Sequence, residues 1–303
     1  VSLARRPRVL ALGTVSLDTV ESRGAVAHEV LGGSAPYFGA AARHSCDVAL
    51  VGVVGDDFPE HLLGPLRASG IDVSGIEHRP GETFRWHARY NPDGSRETLG
   101  TNRERALRGV PPVAASARDP HALFLGSTHP ATQAAVLDRA GTPGIVVLDT
   151  MIHWVRGHRD DFMAVAHRAD VVLMAHDEAA ELGRGDPQAG VRALLDGGCE
   201  WVVVKRGARG ATAFARDRMI FVSAAHPADI ADPTGAGDAF AGGLVGGLAS
   251  APLDMEGALR QAAALGSLAV ETFSVDRLLA VTAEGVEARG REVQIRVEPQ
   301  GQV

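Results

Sequence analysis

The residues best equipped for chemistry form one run, Asp232-Pro233-Thr234-Gly235-Ala236-Gly237-Asp238-Ala239-Phe240, followed by Ala241-Gly242-Gly243. Three small residues here open a stretch of helical character. Glycines let the backbone approach a ligand closely, and the unpaired N–H groups of a helix's first turn, aided by its dipole, attract an anion. Gly235, Ala236 and Gly237 are thus a candidate phosphate seat. Asp238 falls in the same turn, where the helix N-terminus should keep a carboxylate ionised and able to take a proton from an attacking hydroxyl. An anion seat beside a base is the equipment of phosphoryl transfer. The same letters also fit a plain tight turn, with Asp238 as a dipole-compensating acid. Other chemistries are poorly served: the twelve histidines have no zinc spacing, and neither His-Glu-x-x-His nor Cys-x-x-Cys occurs. Lys205 is the sole lysine and Gly-Lys is absent, so a Walker A loop is excluded.

The elements that must position this run alternate between β-branched strands and helical stretches, which predicts an α/β fold, a doubly wound, mostly parallel sheet flanked by helices. Strands are expected at Arg8–Gly13, Val48–Val53, Ala122–Leu125, Ile145–Leu148, Asp170–Met174 and Trp201–Lys205. Helices are expected at Pro36–Ser45 behind a capping Ser34, at Glu60–Ser69 and Thr132–Ala140, and, Ala/Gly-rich, at Gly235–Ala249 and Met255–Glu271. A hairpin is expected around Arg216–Arg218. Residues 15–31 and 83–99 break the alternation and read as a small β lid inserted at the sheet's edge, the second with a turn at Asn91-Pro92-Asp93-Gly94. In that hairpin Arg85, His87 and Arg89 share one face while Trp86 and Tyr90 share the other. Arginine there could bind a polar substrate and the aromatics could stack on a sugar or base, or they could simply pin the lid. No linker divides the 303 residues, which read as one domain.

Composition narrows the partners. Net charge is −7 with scattered basic residues, which leaves no footprint for nucleic acid, and no apolar run approaches the roughly 20 residues of a bilayer span. Arg5, Arg6 and Arg8 precede only a strand-sized apolar stretch, so no secretory signal is expected. Cys46 and Cys199, two isolated thiols, read as reduced core residues and point to the cytoplasm.

The nine-residue run resembles the C-terminal signature of the ribokinase/PfkB carbohydrate kinase family, and the resemblance extends over nearly the whole chain. Gly13 and Asp18, Gly32 and Gly33 ahead of a helix, Val51-Gly52-Val53-Val54-Gly55-Asp56-Asp57-Phe58 with Gly70-Ile71-Asp72, and Lys205-Arg206-Gly207-Ala208-Arg209-Gly210-Ala211 stand in the family's order. The resemblance implies a ribokinase-like core and ATP-dependent phosphorylation of a small polyhydroxylated acceptor. Asp238 would be the base, with Gly235, Ala236 and Gly237 as anion hole. Asp18, Gly32, Gly33 and Ser34, with Arg85 from the lid, would bind the acceptor, while Lys205, Gly207, Gly210 and Ala263 would line the ATP site. It also implies Mg²⁺ with the ATP, reached through water by Glu178, and potassium at Asp232; separately, the edge strands of a lid hairpin could pair across a homodimer.

Three positions depart from the family. Ala175-His176-Asp177-Glu178 keeps the glutamate of the family's Asn-x-x-Glu motif and loses the asparagine, with His176 or Asp177 as substitutes. The string Gly32 to Phe38 lacks the furanose-binding asparagine, which disfavours plain ribose, and Pro233 replaces a common threonine. The acceptor could be a sugar, a nucleoside or a cyclitol. A nicotinamide oxidoreductase lacks its Gly-x-Gly-x-x-Gly fingerprint here, and a non-catalytic binder with a kinase-like fold is the reading of another class.

Overall fold

A computed structural model describes residues 6–91, 95–102 and 109–299. Along the chain come β1 (Arg8–Leu12), β2 (Ser16–Ser22), β3 (Ala25–Gly32), α1 (Ser34–Ala42), β4 (Asp47–Gly55), α2 (Gly64–Ala68), β5 (Asp72–Arg79), β6 (Phe84–Tyr90) and β7 (Arg96–Thr101). There follow β8 (Ala122–Leu125), α3 (Pro130–Arg139), β9 (Val146–Asp149), α4 (Ile152–Gly157), α5 (Arg159–Ala166), β10 (Val171–Ala175), α6 (His176–Leu182), α7 (Pro187–Asp196) and β11 (Trp201–Lys205). The last part holds β12 (Ala211–Phe214), β13 (Arg218–Val222), α8 (Ala236–Ser250), α9 (Met255–Ala269), α10 (Asp276–Ala280), α11 (Ala283–Arg291) and β14 (Ile295–Pro299).

The main sheet runs β14-β13-β12-β11-β10-β9-β8-β1-β4-β5. The strands from β11 to β5 are parallel, and β12, β13 and β14 add an antiparallel edge. Helices cover both faces, because the central strands alternate between two cores. Val9, Ala11, Phe124, Leu173 and Val203 pack with α1, α8 and α9, whereas Leu10, Leu12, Leu123, Leu125, Val172, Met174, Val202 and Val204 pack with α3, α5, α6 and α7. Burying one such side chain contributes about 1.5–3 kcal/mol, so the period-2 pattern fixes both layers at once. On the first face the helices lie close: a Cβ at Gly243 or Gly247 of α8 would stand 2.7 or 2.8 Å from the Cα of Ala262 or Ala258 in α9.

A second sheet, β3-β2-β6-β7, is built from the two segments expected to form a lid. Its β2–β3 pairing shifts register between Asp18 and Val20. Of the expected turn at Asn91 to Gly94, Pro92, Asp93 and Gly94 lie outside the described residues.

Some boundaries differ from the sequence reading. The helix expected at Glu60–Ser69 divides into a 3₁₀ turn, Glu60–Leu63, and α2, because Pro65 has no N–H for a continuous ladder and sits instead in the first turn of a new helix. Ser34 does not cap α1 from outside; it is the first helical residue, with Gly33 at the cap, and its Oγ accepts from Thr14 N at 3.0 Å. Strands β5 and β14 were not anticipated, since both are edge strands with one polar side and weak alternation.

Candidate active site

The chain leaves β1 for β4 on one side and later returns to β8 on the other, so the strand order reverses beside β1. In open α/β sheets the crevice at such a reversal, outside the carboxyl ends of the strands, is where ligands bind. A cavity of about 560 Å³ lies there. Gly13 to Ser16 follow β1, Ser127 to His129 follow β8, Thr150 to Trp154 follow β9, and all of these line it together with Asp149 and Lys205. Phe84, Trp86, Tyr90, Arg96 and Thr98 of the second sheet form its cover.

The segment expected to seat an anion is an uncapped helix start. Gly235 takes φ 74° ahead of Ala236, with no side chain capping α8. Left-handed backbone favours glycine, and a Cβ there would also strike the Tyr37 ring at 2.3 Å. Gly235, Gly237 and Asp238 line the cavity; Ala236 does not, and its amide is directed to Pro233 O at 3.4 Å. The seat is therefore narrower than the three consecutive amides expected. The loop before it is anchored by Asp232, which is fully buried: Oδ1 accepts from Thr234 N at 2.8 Å, while Oδ2 is buried without a hydrogen-bond partner among the described residues. The cover touches this loop directly, for Thr234 Oγ1 lies 3.3 Å from the Tyr90 hydroxyl.

Asp238 corrects one expectation. The helix N-terminus was expected to hold it ionised, yet burial pushes its carboxyl up to about 7, with Asp149 adding to the rise, Lys205 opposing it and Asp18 adding again. Desolvation of a buried carboxyl favours its neutral form. Asp18, only 4% exposed, is likewise pushed up to about 7 by burial, and Asp232 contributes. Its Oδ1 is buried without a hydrogen-bond partner among the described residues. Gly32 makes the space for it, since a Cβ there would lie 2.0 Å from Asp18 Oδ2. Gly33 and Ser34 line the cavity beside Asp18.

Arg85 stands elsewhere. Its guanidinium is bound by Asp57 and Glu29 on the other face of the second sheet, and it is not among the cavity residues. The alternation along β6 places Phe84, Trp86 and Tyr90 inward, so the aromatic face meets the ligand space and the arginine face pairs with acids. Among the described residues the arginine at the cavity is Arg96 of β7, over the Trp86 ring at 5.4 Å.

Among the residues expected to line an ATP site, Lys205 ends β11 within the cavity and is held by Asp149. Gly207 and Gly210 flank a 3₁₀ turn just beyond it, Gly210 at φ 79° against Val222 O, outside the cavity lining. Ala263 is 6% exposed in α9, packs into the core on that face of the sheet, and is not among the cavity residues. Glu178 turns back on its own strand end, accepting from Ala175 N at 2.6 Å, and burial pushes it up to about 7. His176 and Asp177, the expected substitutes for the missing asparagine, are exposed at the start of α6.

Sequence reasoning passed over Asp149, Tyr37, Phe84 and Thr234. For Asp149 a signal existed, because the carboxyl end of a parallel strand is where this architecture keeps its functional groups. Tyr37 had none, being recognisable only once Gly235 is seated on its ring.

Residues 15–280 match the family described as pfkB family carbohydrate kinase. A cytidine kinase of Thermococcus kodakarensis is 29% identical over 244 residues, 79% of this chain and 87% of that protein. A fructokinase of Rhizobium leguminosarum bv. trifolii is 28% identical over 262 residues, 78% of each chain. Among solved structures, the nucleoside kinase of Burkholderia thailandensis in complex with inosine superposes with a TM-score of 0.79 at 19% identity, covering 93% of this chain and 97% of that one. With the anion seat, the buried carboxylates and the covering sheet in one crevice, and a family match that spans most of the sequence, the chain belongs to the pfkB family of carbohydrate kinases.

Proposed function

We propose that the protein transfers the γ-phosphoryl group of ATP to a hydroxyl of a small polyhydroxylated acceptor. One observation carries this reading: Asp238, at the mouth of an uncapped helix, shares a cavity with Asp18, whose Oδ1 is buried without a hydrogen-bond partner among the described residues. Asp18 Oδ1 would receive acceptor hydroxyls. The amides of the α8 first turn would hold the phosphoryl group, and the attacking hydroxyl would give its proton to Asp238 as the new O–P bond forms and the bond to ADP breaks. The second sheet would exclude water, which otherwise competes for the phosphoryl group.

The inward face of β6 supports an acceptor with a planar ring. Phe84, Trp86 and Tyr90 offer stacking surface that a bare sugar would use only in part, which favours a nucleoside within this class. The names of the cytidine kinase and nucleoside kinase relatives point the same way, and the fructokinase keeps a sugar in view.

Among the described residues no three His, Cys, Asp or Glu side chains converge to hold a metal ion. Magnesium would therefore be held chiefly by the ATP phosphates, whose charge it neutralises, with Glu178 as the nearby protein carboxylate. The orphaned Asp232 Oδ2 fits a potassium ligand. The buried free thiols Cys46 and Cys199 support a reducing, cytoplasmic setting, and among the described residues no helix is long and apolar enough to cross a membrane.

An ATP-consumption screen over nucleosides, sugars and cyclitols, with wild type and Asp238→Asn, tests the reading. Acceptor-dependent ADP formation lost in the variant is the expected result; binding without turnover for every compound would make the protein a binder instead.

A further inference from the structure

β9 stops at Asp149 and β11 at Lys205, with β10 between them. Their side chains reach across the end of β10, where Lys205 Nζ lies 2.7 Å from Oδ2 and 3.0 Å from Oδ1. The Asp149 side chain is 3% exposed and that of Lys205 18%. Asp149 is pinned from other directions too. Its Oδ1 accepts from Thr150 N at 2.9 Å, and its carbonyl accepts at 3.0 Å from Gln133 Nε2, which also donates to Gly126 O. On its far side the Lys205 ammonium stands 3.6 Å from where a Cβ on Gly237 would be, against the first turn of α8.

A pair this buried is not needed to hold the fold, because the desolvation of two charges offsets most of their attraction and apolar side chains would pack as well. What it does provide is a cation fixed inside the crevice. We propose that Asp149 is a positioning residue for the transfer: it holds the Lys205 ammonium against the anion seat, where that cation balances charge on the γ-phosphoryl group as it passes from ATP to the acceptor oxygen. The inference rests on the phosphotransfer reading above. Backbone amides supply only partial charges, whereas a full charge held in place in an enclosed site stabilises the equatorial oxygens without reorganising as the reaction proceeds. Lys205 keeps its protons throughout; the proton of the acceptor hydroxyl goes to Asp238, and the electron pair of the broken bond stays on ADP.

Electrostatics gives the two partners opposite signatures at the base. The charged groups acting on Asp238 are Asp149, Lys205 and Asp18, with Tyr37 packed beneath the seat and Glu178 acting on Lys205. Asp149 raises the proton affinity of Asp238 and Lys205 lowers it.

The test uses the full chain with Lys205→Met, Lys205→Arg and Asp149→Asn, measuring kcat, both KM values and the pH dependence of kcat/KM. Lys205→Met should lower kcat by about 100- to 1,000-fold with the acceptor KM changed less than about threefold, and Lys205→Arg should recover at least about tenfold of the loss. The acid limb should move to higher pH in Lys205→Met and to lower pH in Asp149→Asn, which checks that the pair stands beside the base. The kcat loss at a nearly unchanged acceptor KM and its rescue by arginine are what a merely structural pair would not produce. A Lys205→Met kcat within about threefold of wild type, or limbs moving in the same direction, overturns the proposal. Should a single variant fail to fold, Asp149→Asn/Lys205→Met, which removes both buried charges, replaces it, and the same loss of kcat is expected. Should the wild type phosphorylate no acceptor, the functional reading fails by itself. Calorimetry with ADP plus aluminium fluoride then still reads the pair: a gain over ADP alone that vanishes in Lys205→Met supports it, and an undiminished gain overturns it.

Discussion

Gly32 shows how a residue without a side chain can specify a site. A methyl group there would occupy the position of the Asp18 carboxylate, so Gly32→Ala should raise the acceptor KM by about tenfold or more while ATP affinity holds, as steady-state kinetics would show. Asp238→Asn should lower kcat by about 10²- to 10⁴-fold with nucleotide binding intact by calorimetry, because the proton transfer is lost and the phosphate contacts are not. Since burial places the Asp238 carboxyl near 7 and the base works ionised, kcat/KM should climb as pH rises through about 7. A profile flat from pH 5 to 8 (about three units) would remove Asp238 from that role. The glycine-opened helix start with a carboxylate in its first turn was legible in the sequence, because Gly-Ala-Gly-Asp ahead of an Ala-rich stretch specifies that local structure, although the same letters also fit a plain tight turn. The direction of the carboxylate's titration was not legible: it depends on desolvation and on Asp149 and Asp18, which arrive from distant strands.

At the level of elements, β6 was readable in its alternation and unreadable in its orientation. Inward and outward faces are decided by partners elsewhere, as Asp57, Glu29 and Glu21 draw Arg85, His87 and Arg89 to the outer side. Arg85→Ala should accordingly leave the acceptor KM unchanged within about twofold, while Trp86→Ala should raise it by roughly tenfold, the stacking contribution of one ring. Equal effects of the two substitutions in the same kinetic assay would reverse the assigned faces. The central strands were located to within a residue or two because both of their faces are buried and read as continuous apolar runs. Edge strands β5 and β14, with polar residues on one side, carry no such signal, and the Glu60–Ser69 helix divided at a proline whose effect depends on its position in the turn.

For the molecule as a whole, stability follows the packing of α8 on α9 and the burial of acids. Gly247→Val should cost about 1–3 kcal/mol, read as a lowered Tm, because Ala258 leaves no room for a side chain. Asp18, Glu178 and Asp238 are each pushed up to about 7 from ordinary values of 3.8, 4.5 and 3.8. A carboxyl whose folded pKa is raised stabilises the fold fully below its unfolded value, and that contribution is lost as pH rises through the folded one. Thermal denaturation of the free protein should therefore give a higher Tm near pH 5 than near pH 8 (about three units above); the opposite order would mean the acids are not buried as protonated groups.

The sole lysine has a practical corollary. Within these 303 residues the one side-chain amine is Nζ of Lys205, and in the resting fold that atom is clamped by a carboxylate inside the crevice. Mass spectrometry after mild treatment with an amine-reactive ester thus reports on a single crevice: slow labelling while the clamp is closed, fast labelling once Asp149 is neutralised.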